Sequence, residues 1–382
     1  MPSVEEVLAW LSERAPLSLA EPWDNVGLQV GDPAMQVESL VIALEPTAAV
    51  VEFACAQNAQ LLLTHHPLFL KPPARIVENE AIGKLVLQCA RARLSVIAMH
   101  TNLDNAEGGV GDALASRLGL VNCRVLSPSH TDRLCKLVTF VPPDYADTVR
   151  NAMAAAGAGV IGEYTHCSFQ VAGTGTFLPS AKAKPFIGKA GELEYAPELR
   201  LEMIVRQSRL PAVLDALLQS HPYEEVAHDV YPLEQIGSTW GCLKVGELDP
   251  PVAGKEFLQT VLRRLEGTSC RVIGALPERV KRVAVCGGSG AAFIEQVARS
   301  GVEVFVTGDV KHHDALAAHA AGLCVLDVGH AISERVAIEI LAEWMKDFNN
   351  ERARGALTCH LFPFTPPWEE VSFQTLRGRC GD

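Results

Sequence analysis

Apolar and polar positions follow two different rhythms along this chain. In the first part, the apolar runs SLVIALEP, QLLLTHHP and LSVIAMHTN each stand beside an Ala-rich stretch with helical spacing. That alternation predicts strands and helices taking turns in a mostly parallel α/β sheet. The same rhythm resumes near Gly241 with RVAVCGGSG, VEVFVTGDV, LCVLDVGH and ALTCHLFPF, the first three entering helices. The two blocks predict related α/β halves of one main fold. The start, MPSVEEVLAWLSERAPL, predicts a short amphipathic helix with Val4, Val7, Leu8 and Leu11 on one face.

Between the halves the order changes to strand LCKLVTFVP, helix YADTVRNAMAAAG, strands HCSFQVAGTGTFL and ELRLEMIVR, helix LPAVLDALLQSH and strand EEVAHDVYPL. A β-α-β-β-α-β order predicts an inserted ferredoxin-like α+β domain. Pro128, Pro179, the AKAKPFIGKAGE stretch and Gly237 mark loops or seams. The expected domains are therefore 1–128, an insert over 129–235, and 236–382.

Composition narrows the function classes. With 33 basic and 45 acidic residues the net charge is -12, which argues against non-specific binding to nucleic acid or an anionic membrane. The longest apolar run, Ala152 to Gly162, is mostly Ala and Gly, well short of the roughly 18 to 20 apolar residues of a membrane span. Glu5 and Glu6 stand where a secretory signal carries positive charge, so a cytoplasmic protein is expected. Eleven cysteines without a CxxC pair fit reduced thiols used as small hydrophobes. Cys286 and Cys324 draw notice because they flank turns that form the site.

Three strand ends deliver metal-type ligands. Thr64-His65-His66-Pro67 follows QLLL, His100-Thr101-Asn102-Leu103-Asp104 follows SVIAM, and Gly329-His330 to Glu334 follows LCVLDV. Ligands of open α/β sheets bind at the carboxyl edge of the strands, and the expectation here is one edge of one sheet. Adjacent histidines point in different directions, and His330 and Glu334, at i and i+4, stack on one helix face. Asp104 is the better ligand of its segment, able to bridge two ions, with His100 orienting it; an Asx turn or helix cap is its alternative role. A fourth strand end gives Asp309, readable as a helix N-cap, followed by Lys311, His312 and His313. His65, His66, Asp104, His330 and Glu334 offer nitrogen and oxygen but no thiolate, a set suited to Zn, Fe or Mn. Two divalent ions about 3.5 to 4 Å apart use it economically.

Two further segments are candidates for substrate contact: Trp23, Asp24 and Asn25 in a polar loop, and Gly288 and Ser289 in the GGSG turn. Such a turn at a helix start is able to hold an anion, although a tight strand-to-helix connection explains it equally well. His221-Pro222-Tyr223-Glu224-Glu225 reads as a helix-to-strand turn.

WDNVGLQVGD, LLLTHHPL, MHTNLDNAEGGV, GGSG, TGDVKHHDA and DVGHAISE, in this order, resemble the dinuclear-metal family called NGG-one-interacting-factor-three-like, which includes GTP cyclohydrolase type 2 homologues. The segment SHPYEEVAHDVYPL looks like the PII-like, CutA-like insert of its longer members. The resemblance implies a two-metal site from His65, His66, Asp104, His330 and Glu334, and a homohexamer with the metal sites facing a cavity. It also implies hydrolysis, with GTP ring opening by activated water at purine C8 as the best-named reaction and His100 or His313 moving protons. The family's TGDxxxH element is met by Asp309 and His313. The rival class is a non-enzymatic regulatory or assembly protein whose insert senses a small ligand, and a two-metal phosphoesterase is a third reading. The partners expected are further copies of the chain and a nucleotide or other small molecule.

Overall fold

The opening helix, Val4–Arg14, begins where the sequence supplies a cap. The Ser3 hydroxyl accepts from the Glu6 N–H while the Glu6 carboxylate accepts from the Ser3 N–H, satisfying two donors that the first turn leaves free. Val4, Val7, Trp10 and Leu11 are buried. Leu8, expected on that face, is only partly covered. Trp10 occupies the core instead, its Nε1–H donating to the Trp344 carbonyl at 3.1 Å.

The computed structural model describes residues 1–364; the final stretch of the expected 236–382 domain, 365–382, lies outside the described residues. The chain divides into two units, Met1–His130 with the chain from Trp240 onward, and Thr131–Thr239.

The first unit is mixed α/β and contains two sheets. One runs in the order Gly27–Val30, Ser95–Ala98, Leu61–Thr64, Ser39–Ala43, Thr358–Leu361, parallel except at the Gly27–Val30 edge. The other runs Arg271–Ile273, Cys324–Asp327, Val304–Gly308, Arg279–Ser289, Lys244–Ala253, Val121–Val125. Its second, third and fourth strands are parallel and the remaining pairings antiparallel. Leu61–Thr64, Ser95–Ala98 and Val304–Gly308 are buried at every position, as parallel strands covered on both faces are.

Two expectations need correction. The ligand-bearing strands belong to two sheets rather than one. Each half also lends a strand to the other: Thr358–Leu361 completes the first sheet and Val121–Val125 edges the second. An apolar run reveals that a segment is a buried strand, but its partner is set by long-range backbone pairing that the run does not encode.

In the second unit, strands His130–Val141, Ser168–Phe177, Glu194–Arg206 and His228–Trp240 alternate with helices Ala146–Ala155 and Leu210–Ser220 in β-α-β-β-α-β order. The sheet order is second, third, first, fourth. Leu201, Met203 and Val205 of the third strand pack with Val149, Met153, Val213 and Leu217 of the helices. Because side chains alternate along a strand, Ala196, Glu198 and Arg200 occupy the face away from the helices. Among the described residues no helix is long and apolar enough to cross a membrane, and the ten cysteines described are free thiols.

Candidate metal centre

Strand ends from both sheets of the first unit converge. Leu61–Thr64 runs directly into His65 and His66, and Ser95–Ala98 leads through His100 into the short helix Thr101–Asn105, which carries Asp104. From the other sheet, Cys324–Asp327 leads through Gly329, at φ 88°, into the helix His330–Glu334.

Glu334 lies at the middle of the cluster. Its Oε2 is 3.0 Å from His66 Nε2 and 2.9 Å from His330 Nε2, while its Oε1 is 3.8 Å from His65 Nε2. His66 Nε2 and His330 Nε2 are 3.3 Å apart, and His65 Nε2 is 3.7 Å from Asp104 Oδ1. Ligand atoms of His66, His330 and Glu334, and again of His65, Asp104 and Glu334, lie within 4.8 Å of one another; a third such group is His65, His66 and His100. The structure therefore brings together all five residues expected as metal ligands.

His65 is fully buried and its Nδ1–H donates to the Met99 carbonyl at 2.8 Å, which leaves the lone pair on Nε2. That Nε2 and Asp104 Oδ1 are buried with no hydrogen-bond partner among the described residues. Leaving such atoms unpaired costs about 1 to 3 kcal/mol each, and a cation between an imidazole lone pair and a carboxylate oxygen supplies the missing partner. The nitrogen and oxygen donors thus fit a divalent transition ion.

Electrostatics point the same way. Burial works against a charged His66, yet hydrogen bonds to Glu334 and Glu45 outweigh it and raise its pKa to about 10. Its bond to Glu334, helped by Asp309 and opposed by burial, raises His330 to about 9. Burial pushes Asp104 up to about 7, with His65 opposing and Glu334 reinforcing the shift. Glu334 is itself held well below the usual carboxylate range: burial opposes this, but its close contacts with the His330 and His66 imidazoles, with the His65 ring nearby, prevail.

Glu45, which the sequence does not single out, and Asp309, which it offers as a helix N-cap or as the Asp of the TGDxxxH element, complete the surroundings. Glu45 ends the SLVIALEP run, 3.6 Å from His66 Nδ1. Asp309 is not a helix cap: the following helix, His312–Ala320, has Lys311 at its N-cap position and no side-chain cap. Its Oδ2 instead accepts from His330 Nδ1 at 2.7 Å, which aims His330 Nε2 at Glu334. The legible signal was position, since both residues follow strands whose ends form the site. Asp104 is not a cap either, because the next helix, Val110–Leu118, has Gly109 at its N-cap position.

The expected substrate residues divide. Asp24 Oδ1 accepts from His100 Nδ1 at 2.9 Å and Oδ2 from the Thr101 N–H at 3.0 Å. Burial alone would raise Asp24, but these bonds hold it at about 2, so it fixes His100. Trp23 stays 56% exposed, its ring 6.1 Å from that of His100. Asn25 is committed to the Phe69 carbonyl through Nδ2 at 2.9 Å. Gly288 and Ser289 end a strand followed by a single 3-10 turn, Ala291–Phe293, and the six-residue helix Ile294–Arg299. Gly288 N–H already donates to Ser333 Oγ and Gly290 N–H to Thr307 Oγ1, so these donors are spent and the turn forms no anion cradle. Gly288 has a different use: at φ 61°, a Cβ on it would stand 2.0 Å from Glu334 Oε1. Ser289 is exposed and pairs with Gly308.

His312 and His313 are exposed, their rings meeting edge to face at 5.4 Å, and His313 is in none of the donor groups. Cys286 is buried; its contact with Cys242 Sγ at 3.8 Å and its burial push the thiol well above its ordinary pKa. Burial raises Cys324 to about 11. Both thiols stay protonated and act as packing.

Known proteins match most of the length of this chain. Residues 2–362 match the family described as Duf34/NIF3 (NGG1p interacting factor 3). The chain is 38% identical over 364 residues to a Halalkalibacterium halodurans protein named GTP cyclohydrolase 1 type 2 homolog, covering 94% of this chain and 98% of that one. A Bacillus subtilis protein of the same name is 38% identical over 351 residues, covering 92% and 94%. Among solved structures, a Bacillus cereus protein related to NIF3 superposes with a TM-score of 0.87 at 37% identity over 97% of this chain and 99% of that one. A Staphylococcus aureus protein gives a TM-score of 0.79 at 28% identity with the same coverage. The chain belongs to the Duf34/NIF3 family.

Proposed function

We propose that the protein is a dinuclear-metal-dependent hydrolase of the GTP cyclohydrolase type 2 kind. The observation that carries this reading is the placement of Glu334, whose two oxygens face two different donor groups, His66 with His330 and His65 with Asp104. In this reading Glu334, rather than Asp104, is the carboxylate shared by the two positions. Divalent ions in such a set supply Lewis acidity and bring the ionisation of water towards pH ~7.

The chain's own residues supply the rest. Met99 and Asp309 fix the ring orientations of His65 and His330, so little rearrangement is needed when an ion enters. Asp24 takes the proton-bearing Nδ1 side of His100, leaving His100 Nε2 to accept and return a proton beside the cluster. Trp23 offers a half-exposed ring next to His100, a surface on which a purine is able to stack. His313 is not assigned a step. The assembly that accompanies this reading is the homohexamer.

A regulatory reading draws on the second unit, whose sheet order and β-α-β-β-α-β connection we read as a ferredoxin-like, PII-like insert. The two readings part on one assay. Full-length protein loaded with Zn, Fe or Mn is incubated with GTP, and formate release is followed. The hydrolase reading predicts turnover that a chelator abolishes and added metal restores. Absence of formate with every metal would overturn the GTP assignment in favour of the regulatory reading.

A further inference from the structure

A cavity lies wholly within the Thr131–Thr239 unit. It has a volume of about 610 Å³, within the ~300 to 1,000 Å³ range of small-molecule sites. The sheet face opposite the helices forms its floor. Phe140, Gly173, Phe177 and Glu198 project or open onto that floor, and Phe186 and Tyr223 come from the segments that wall it. The turn His221-Pro222-Tyr223 thus supplies a cavity wall.

Three features define what this cavity accepts. The first is space made on purpose by sequence: Gly173, opposite Glu198 on the neighbouring strand, has nothing within 4 Å of where a Cβ would stand. Next comes an aromatic lining: the Tyr223 ring lies 6.2 Å from Phe177 and 6.1 Å from Phe186. Last is Glu198, which is only 7% exposed although it is an acid. Its Oε1 accepts from Tyr223 Oη at 2.8 Å, and no ion-pair partner within 4.0 Å is found for it among the described residues. The other oxygen lies over Gly175, 2.0 Å from where that residue's Cβ would be.

Charge around the cavity is unbalanced in the same sense. Glu224 and Glu225 add two carboxylates to its lining, and Arg200 is the basic residue there. Arg200 is already engaged, with Nε donating to Glu202 Oε1 at 2.8 Å and its guanidinium 6.0 Å over the Phe140 ring. A buried carboxylate is stable when a cation pairs with it, and aromatic faces attract cations too. An anion gains neither interaction.

We propose that this cavity binds a small organic cation, an ammonium group on an aromatic or otherwise apolar body, with the ammonium on Glu198 and the body against Phe177, Phe186 and Tyr223. The site is independent of the metal centre, and its readout is binding rather than turnover.

The test uses full-length protein and three probes of similar size and different charge: tryptamine, tryptophol and indole-3-acetate. Calorimetric titration at pH 7 is expected to show saturable binding of tryptamine, tighter than either analogue by about tenfold or more, the scale of one charge-assisted hydrogen bond. Glu198→Gln keeps the shape and an acceptor for Tyr223 while removing the charge, so it should bring the three probes level. Gly173→Val fills the open floor at a position with room for it and should abolish binding, with the circular dichroism spectrum unchanged in both variants. Absence of tryptamine binding, equal affinity for all three probes, or a cation preference that survives Glu198→Gln would overturn the proposal.

Discussion

Glu334→Gln is expected to empty both ion positions, taking bound metal from about two equivalents per chain to a small fraction of one and turnover to background. The reason is positional. Among the described residues Glu334 alone faces both donor groups, at 2.9 to 3.8 Å from three imidazoles, and a carboxamide of the same shape offers one weak acceptor and no charge. The metal-free fold should also suffer near neutral pH, because the carboxylate that stabilises the imidazolium forms of His66 and His330 is gone, leaving partly buried charge with less compensation. Elemental analysis with a melting curve on the same sample checks both effects. Full metal content in the variant would show that Glu334 is not a ligand.

Metal uptake at pH 7 should release roughly two protons per chain, since an imidazole must be neutral to ligate. His66 and His330, raised to about 10 and 9, carry those protons at that pH in the metal-free protein, and burial shifts Asp104 upward in the same sense. Apparent metal affinity should therefore climb steeply with pH up to about 9 to 10. The same shifts set a stability trend. A histidine whose folded pKa exceeds its ordinary 6.5 stabilises the fold fully below pH 6.5 and loses that contribution as pH rises through the folded value. Metal-free protein should thus lose thermal stability between pH 6.5 and 10, while metal-loaded protein should not follow that trend. Titration calorimetry in buffers of different ionisation enthalpy counts the protons, and a count near zero would contradict the protonation states described here.

Much of this was readable in advance because the informative residues are local. Each ligand pair follows an apolar run directly, so His65-His66 and His330 with Glu334 declared themselves through spacing alone. The strands that end at the ligands and the elements of the second unit likewise followed from apolar period, whereas Gly27–Val30, Lys244–Ala253, Arg271–Ile273 and the helix Gly254–Arg264 did not announce themselves. Pairing was not legible: the exchange of Thr358–Leu361 and Val121–Val125 between halves is decided by backbone bonds across more than a hundred residues. Partners outside the ligand set were hidden for a similar reason. An acid such as Asp309 looks like a helix cap until the fold brings it to His330, and Asp24 looks open to substrate until His100 and Thr101 claim both its oxygens. Glu198 was equally silent, because an acid in an alternating strand reads as solvent-facing until the segments that roof that face are in place.

The central claim, two ions sharing Glu334, is tested most directly by anomalous X-ray diffraction from crystals of the zinc-loaded protein. The account predicts two anomalous peaks per chain about 3.5 to 4 Å apart, one beside His66 and His330 and the other beside His65 and Asp104, with the Glu334 carboxylate between them. A single peak, or two peaks that Glu334 does not join, would contradict it.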